Sequence, residues 1–276
     1  HNLRNTGIMA PIKLLSSDLD GTIIFDRAIG PDSIQAIHQW QQAGNIAVCS
    51  TGKSIEATRF ALRDSGLEFD YNVLYTGAVV TDKHYNVLMS HTLPSALVSE
   101  LVQKLSEEQG ISVFATTLDT NDVRLYSSIP PELSTDILQY FDPLKYEDIP
   151  HHTFVGIPIW VSAGDETEET IQRLHTWILD TYGDVLDCHR NQDFLDIVPP
   201  NCTKATGLAW LMKHLRSTTS ATYETYSLGD SWNDIDMHHW ADHSVSFPHS
   251  PAEIQELTET VAPTAADYIQ SVLAHE

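Results

Sequence analysis

Long apolar runs are missing from this 276-residue sequence. None approaches the roughly 18–20 residues that a membrane-spanning helix requires, so neither a transmembrane segment nor a membrane partner is expected. Cations are scarce: 15 Lys and Arg stand against 38 Asp and Glu, a formal charge of −23. A surface of that sign repels nucleic-acid phosphates and anionic bilayers, which argues against both as partners. It also repels anionic substrates at long range, so an anion site here needs local cations or a metal. Cysteine is scarce too. Cys49, Cys188 and Cys202 are widely spaced and form neither a disulfide framework nor a zinc pattern, which fits a reducing cytoplasm. Cys49 lies in an apolar run and reads as a small core residue. His1 to Gly7 is polar and lacks the apolar region of a secretion signal. Met9 is expected to be the natural start, with residues 1–8 an expression-derived tail.

What is present is an ordinary globular composition, 42% hydrophobic and 19% charged, long enough for one large domain or two. One stretch organises the rest. Ile12 to Leu15 is a short apolar lead-in that ends in Ser16-Ser17-Asp18-Leu19-Asp20-Gly21-Thr22. This reads as a buried strand whose end carries two acids, at the edge where open α/β sheets place ligands. Two carboxylates so close repel unless a cation or donors compensate. Hard divalent cations take oxygen ligands, so Asp18 and Asp20 suggest a Mg²⁺-assisted site. The alternative is a polar turn with no further role.

The following pattern is strand and helix in alternation. Pro31-Asp32-Ser33 opens a helix bearing Ile34, Ile37 and Trp40, and Ile46 to Cys49 is a strand ending in Ser50-Thr51-Gly52-Lys53. A second helix is expected to begin at that junction, and Asn72 to Val80 reads as one strand interrupted at Thr76-Gly77. Short connections of this kind predict a parallel sheet with helices on both faces. From about Lys83 the rhythm changes to a helix (Pro94 to Gln109), a hairpin (Ile111 to Thr117 and Val123 to Ser128), a helix from about Pro131 to Phe141, a strand, an acid-first helix to Tyr182, and a second hairpin (Asp184 to His189 and Phe194 to Val198) turning around Arg190-Asn191-Gln192. That is an α+β unit inserted into the first. After Pro199-Pro200 the original rhythm resumes with a helix from Thr203, a strand from Glu224 to Leu228, and Gly229-Asp230-Ser231-Trp232-Asn233-Asp234.

The order Asp-x-Asp-Gly-Thr, Thr-Gly, Lys204, Gly-Asp-x-x-Asn-Asp resembles the haloacid dehalogenase (HAD) superfamily of phosphohydrolases. The long insertion is similar to that of its Cof-like branch, subclass IIB with a C2-type cap. The resemblance runs from about Lys13 to the end. It implies a Rossmann-like core, a three-layer α/β/α arrangement with a mainly parallel sheet (residues 10–85 and 193–276), and an inserted α+β cap (86–192). It further implies a Mg²⁺-dependent phosphatase of small phosphorylated metabolites, with sugar phosphates expected. Asp18 attacks phosphorus to give an aspartyl-phosphate, and Asp20 serves as acid and then base. The metal is held by Asp18, the Asp20 backbone carbonyl and Asp230, with Asp234 orienting that shell. Leu19 N–H, Thr51, Gly52, Lys204 and Asn233 bind the phosphoryl group. Simpler roles compete at single positions: a helix start at Thr51-Gly52, a solvated Lys204, a helix cap at Asp230 or Asp234.

The cap is expected to close over the site through loops at Asp119 to Arg124 and His189 to Gln192. Arg190 is a candidate for a second anionic group on the substrate, or else a surface ion pair. Trp232 is a candidate substrate contact at the mouth. His239 is expected to be packed, and neither His151-His152 nor His238-His239 is assigned a metal. Two departures stand out. The family's Thr-Gly-Arg is Thr-Gly-Lys here, so Lys53 lacks the bidentate fork, and its frequent Asn-Gly is Thr76-Gly77. A phosphomutase of the phosphomannomutase type shares this core, and a non-catalytic phosphate-sensing module is the remaining alternative. The oligomeric state is left open.

Overall fold

The structure is a computed structural model describing residues 10–129 and 141–275. The first segment comprises β1 (Ile12–Ser17), a two-stranded flap of β2 (Ile24–Phe25) and β3 (Ala28–Ile29), α1 (Pro31–Gln42), β4 (Ile46–Ser50), α2 (Ile55–Leu62), β5 (Tyr71–Leu74), β6 (Val79–Asp82) and β7 (Val87–Ser90). The second comprises α3 (Ser95–Leu105), β8 (Ile111–Thr117), β9 (Val123–Ser127), β10 (Asp142–Pro143), a 3₁₀ turn (Tyr146–His151), β11 (Phe154–Val161), α4 (Thr167–Tyr182), β12 (Asp187–Asn191) and β13 (Phe194–Val198). The return comprises α5 (Lys204–Thr218), β14 (Tyr223–Leu228), a 3₁₀ turn (Trp232–Asp234), α6 (Ile235–Trp240), β15 (His243–Ser246), α7 (Ala252–Leu257), β16 (Thr260–Val261) and α8 (Ala265–Ala274).

The first and third segments share one eight-stranded sheet in the order β16-β15-β14-β1-β4-β5-β6-β7. It is parallel from β16 to β5, and β6 and β7 add antiparallel. Successive residues of a strand face opposite sides, and Leu14 and Leu15 show the consequence. Leu15 joins Ile37, Trp40 and Ile269 from α1 and α8, while Leu14 joins Leu208, Leu211 and Met212 from α5. Both faces are covered, so the middle of β1 carries apolar side chains on both sides. The second segment forms a six-stranded sheet, β10-β9-β8-β11-β13-β12, packed against α3 and α4 as a cap domain.

Several expectations are corrected. Asn72 to Val80 is not one strand. It is an antiparallel pair reversing at Tyr75, Thr76 and Gly77, with φ of 42°, 51° and 89°. The turn was masked because both flanks are apolar and β-branched. Helix α2 starts later than the Thr51-Gly52 junction: Ser54 caps it, accepting from Ala57 N–H at 3.0 Å, so Thr51 to Lys53 form a loop. Sheet membership also moves the expected cap limits of 86 and 192. β7 pairs with β6 in the first sheet, and β13 pairs with β11 and β12 in the second. A division at 193 would cut the β12–β13 ladder, in which His189 faces Asp196. The helix expected over Pro131 to Phe141, and the tail at 1–8, lie outside the described residues.

Candidate active site

The central parallel strands set the site. Ser17 of β1 pairs with Cys49 of β4 on one side and Leu228 of β14 on the other. Asp18, Thr51 and Asp230 therefore leave the sheet at one edge, and the Asp18 N–H donates to the Leu228 carbonyl at 2.9 Å. Lys204 opens α5, whose cap residue Thr203 exchanges hydrogen bonds with Thr206. That helix start is drawn against the β5–β6 turn by Gly77, where a Cβ would lie 1.8 Å from the Thr203 carbonyl oxygen. Gly21 permits a similar approach, since its Cβ would lie 2.0 Å from Asp230 Oδ2.

At this edge Lys204 is 0% exposed, and its Nζ donates to Asp18 Oδ1 at 3.1 Å and Asp234 Oδ1 at 2.6 Å. The other Asp234 oxygen accepts the Ser231 N–H at 3.0 Å. One carboxylate oxygen each from Asp18, Asp230 and Asp234 lie within 4.8 Å of one another. Burial first, and Asp234 next, hold the Asp18 carboxyl well above the usual range, with Lys204 opposing. Asp230 is pushed up to about 6 by burial and then by Asp234. Burial works against the Lys204 charge, yet Asp18 and Asp234 outweigh it and hold the ammonium above the ordinary lysine value.

Three carboxylates thus face one buried ammonium. When all are ionised, two negative charges remain, which a divalent cation matches. The donor set is hard oxygen, and Asp230 Oδ1 is buried with no hydrogen-bond partner, so the residues fit such an ion. The Asp20 carboxylate stands outside this trio, with its Oδ2 2.8 Å from Lys53 Nζ.

The remaining expected residues divide into two groups. The Leu19 side chain is buried in the core, and its carbonyl accepts from Thr22, Ile23 and Ile24 N–H at 3.1, 2.9 and 2.9 Å, closing the loop tightly. Thr51 is buried, and its Oγ1 accepts the Lys53 N–H at 3.1 Å. Both amide atoms of Asn233 are buried without a hydrogen-bond partner. Gly52 lies under the cap: a Cβ there would sit 2.7 Å from Asp196 Oδ2 and 2.9 Å from Asn191 Nδ2. Arg190 and Trp232 meet each other across the two domains. The guanidinium carbon stands 4.5 Å from the ring centroid, Arg190 also pairs with Glu168, and the indole N–H donates to Glu253. Arg190 lies on β12 rather than in a loop, because the hairpin turns at Gln192, φ 54°.

Sequence reasoning missed three residues. Asp196 is 3% exposed, its Oδ2 has no partner, and burial pushes it up to about 7 against the opposing Asn191 hydrogen bond and the Lys204 and Lys53 charges. A lone acid in the apolar run Phe194–Val198 was the available signal. His249 Nε2 donates to the Gly21 carbonyl at 2.6 Å and lies 3.7 Å from Asp230 Oδ2; nothing near it in sequence marked it. His238, not His239, is the packed member of its pair: His238 is buried and His239 exposed. Helical phase on α6 decides between them, and the apolar character of the segment did not.

Fold and site together define a hydrolase of the HAD phosphatase class. The chain belongs to the haloacid dehalogenase-like hydrolase family, which matches residues 15–273. It is 26% identical over 232 residues to an HMP-PP phosphatase of Yersinia pseudotuberculosis, covering 82% of this chain and 80% of that one. In structure it resembles the HAD subclass IIB sugar phosphatase BT4131, with a TM-score of 0.74 at 19% identity over 95% of this chain and 98% of that one. It also resembles SMU.1108c from Streptococcus mutans, with a TM-score of 0.76 at 18% identity over 95% and 99%. No helix among the described residues is long and apolar enough to cross a membrane.

Proposed function

We propose that this enzyme is a Mg²⁺-dependent phosphatase of small phosphorylated metabolites, sugar phosphates first among them, working through an aspartyl-phosphate on Asp18. The observation that carries the reading is the buried meeting of Asp18, Lys204, Asp230 and Asp234 at one sheet edge.

An Asp18 carboxylate oxygen attacks phosphorus, and the bond from phosphorus to the ester oxygen breaks. Asp20, on the same loop, gives its proton to the leaving oxygen. In the second half Asp20 takes a proton from water, the resulting hydroxide attacks phosphorus, and the bond to Asp18 breaks to release phosphate and regenerate the carboxylate. Lys204, the Leu19 N–H, the Thr51 hydroxyl, the Gly52 N–H and the Asn233 amide hold the phosphoryl oxygens. Asp18, Asp230 and the Asp20 backbone carbonyl would hold the cation, and Asp234 would orient that set while anchoring Lys204. When bound, Mg²⁺ neutralises phosphoryl charge as a Lewis acid.

Asp196, Asn191 and Arg190 reach the site from the cap, and they form the wall against which the leaving group rests. Such a wall suits a small polar metabolite rather than a phosphorylated protein side chain. Three buried free cysteines and the acidic surface agree with action in the cytoplasm on a free metabolite, with no nucleic acid or membrane involved.

The experiment is a phosphate-release screen with Mg²⁺, over sugar phosphates, HMP-PP and other monoesters, with Asp18→Asn as the blank. Phosphate released by the wild type and not by the blank supports the reading. Interconversion of sugar-phosphate isomers without net release would replace it with a mutase. Stable phosphorylation of the protein without turnover would replace it with a sensing module.

A further inference from the structure

Ser227 and His238 are both buried, one in β14 and the other in α6 next to Met237, which packs with Leu14, Val48 and Leu211. Burying polar groups there costs stability unless every donor and acceptor is met. Ser227 Oγ lies 2.8 Å from His238 Nδ1, and His238 Nε2 lies 3.1 Å from the Gly229 carbonyl oxygen. A carbonyl only accepts, so the ring proton is on Nε2; Nδ1 is then the acceptor, and the Ser227 hydroxyl donates to it. The chain of bonds has one direction, from Ser227 through the ring to the carbonyl of Gly229.

That carbonyl belongs to the peptide joining Gly229 to Asp230. The preceding Leu228–Gly229 peptide is fixed separately, its Gly229 N–H donating to the Val245 carbonyl at 3.1 Å, and Gly229 itself is closely packed, since a Cβ there would lie 2.4 Å from Asp234 Cγ. Rotation of the Gly229–Asp230 plane would swing the Asp230 side chain, whose Oδ1 has no hydrogen bond to hold it. We propose that His238 is a positioning residue for the metal: by fixing the Gly229–Asp230 peptide, the Ser227–His238 pair aims the Asp230 carboxylate at the site shared with Asp18 and Asp234. It acts on the backbone of a ligand, where better-known outer partners act on a ligand's side chain; such partners are worth about 10- to 100-fold in metal affinity. The inference rests on the reading of Asp230 as a metal ligand.

The test is calorimetric titration of the full chain with Mg²⁺, alongside the thermal midpoint of the metal-free protein. His238→Leu keeps bulk and removes the donor, and should weaken Mg²⁺ about tenfold. His238→Gln can place an amide nitrogen where Nε2 stands and should stay within about threefold. Asp230→Asn should weaken binding at least as much as His238→Leu. The Leu and Gln variants should melt within a few degrees of one another, so that a merely structural role, which would move melting and not affinity, is told apart. If Asp230→Asn binds Mg²⁺ as the wild type does, the metal reading falls and takes this inference with it. If Asp230→Asn is weakened while His238→Leu is not, the inference alone is overturned, as it is if His238→Gln is as weak as His238→Leu. Should His238→Leu not fold, Ser227→Ala decides: about a threefold loss is expected once the hydroxyl no longer fixes the ring tautomer, and no loss contradicts the proposal.

Discussion

The ammonium of Lys53 stands 2.8 Å from Asp20 Oδ2. The two residues come from different sheet-edge loops, one after β4 and one after β1. Lys53, which stands where the family resemblance leads one to expect arginine, thus pairs with the carboxylate proposed above for the proton transfers. Both side chains are partly exposed, at 27% and 44%, so the pair serves orientation more than stability. Lys53→Ala should lower kcat about tenfold with the thermal midpoint unchanged. Steady-state kinetics beside a melting curve check this, and an unchanged kcat would remove Lys53 from the reaction.

Asp196 faces Gly52 from the cap and touches none of the three clustered carboxylates' oxygens. Asp196→Asn keeps its shape and should raise KM about tenfold on the best substrate while leaving kcat within about threefold, the pattern of lost uniform binding. An equal loss in kcat would instead place Asp196 in the chemical step.

Arg190 and Trp232 join cap to core in one contact of guanidinium over indole. A partly exposed pair of this kind is worth about 0.5–1 kcal/mol. In a double-mutant cycle with Arg190→Ala and Trp232→Ala, read through kcat/KM, the two losses should fall short of adding by about that coupling. Full additivity would mean the contact does not act during turnover.

Asp122 joins the cap to the cap residue of α2, with its Oδ2 bonded to Ser54 Oγ. Burial pushes it up to about 7, Ser54 opposing and Glu56 adding to the rise. The folded chain therefore holds a proton that the unfolded chain, near 3.8, has released. Stability from this group is greatest at low pH, falls as pH climbs from about 4 to about 7, and is lost above that. Asp122→Asn should flatten this part of the profile and raise the thermal midpoint at about pH 8 relative to wild type. An unaltered slope would contradict the assignment.

Strands β1, β4 and β14 were legible because each ends at a polar cluster, β1 and β4 after a short apolar run, and their parallel order then brings Asp18, Thr51 and Asp230 to one edge. Lys204 was legible by position at a helix start, although its burial between two carboxylates was not. The reversal at Tyr75-Thr76 was hidden because those residues take φ of 42° and 51°, values that local propensity disfavours. Asp196, His238 and His249 stayed hidden for another reason. Each meets its partners only in the fold: Asp196 lies against Gly52 across the two domains, His238 reaches the Gly229 carbonyl from the following helix, and His249 reaches the Gly21 carbonyl. One sequence read residue by residue gives no sign of such meetings. The cap limits moved because pairing decides which sheet a strand joins, and Val87–Ser90 and Phe194–Val198 look alike until their neighbours are known.

The covalent intermediate is the centre of the account. The direct measurement is rapid acid quench during turnover with Mg²⁺ and substrate, followed by hydroxylamine treatment and peptide mass spectrometry. Hydroxylamine converts an acyl phosphate to a hydroxamate, and that mark should fall on the peptide carrying Asp18, require substrate, and be absent from Asp18→Asn, whose turnover should be down roughly a thousandfold or more. Full turnover with no mark on Asp18, together with an Asp18→Asn protein active within about tenfold of wild type, would contradict it.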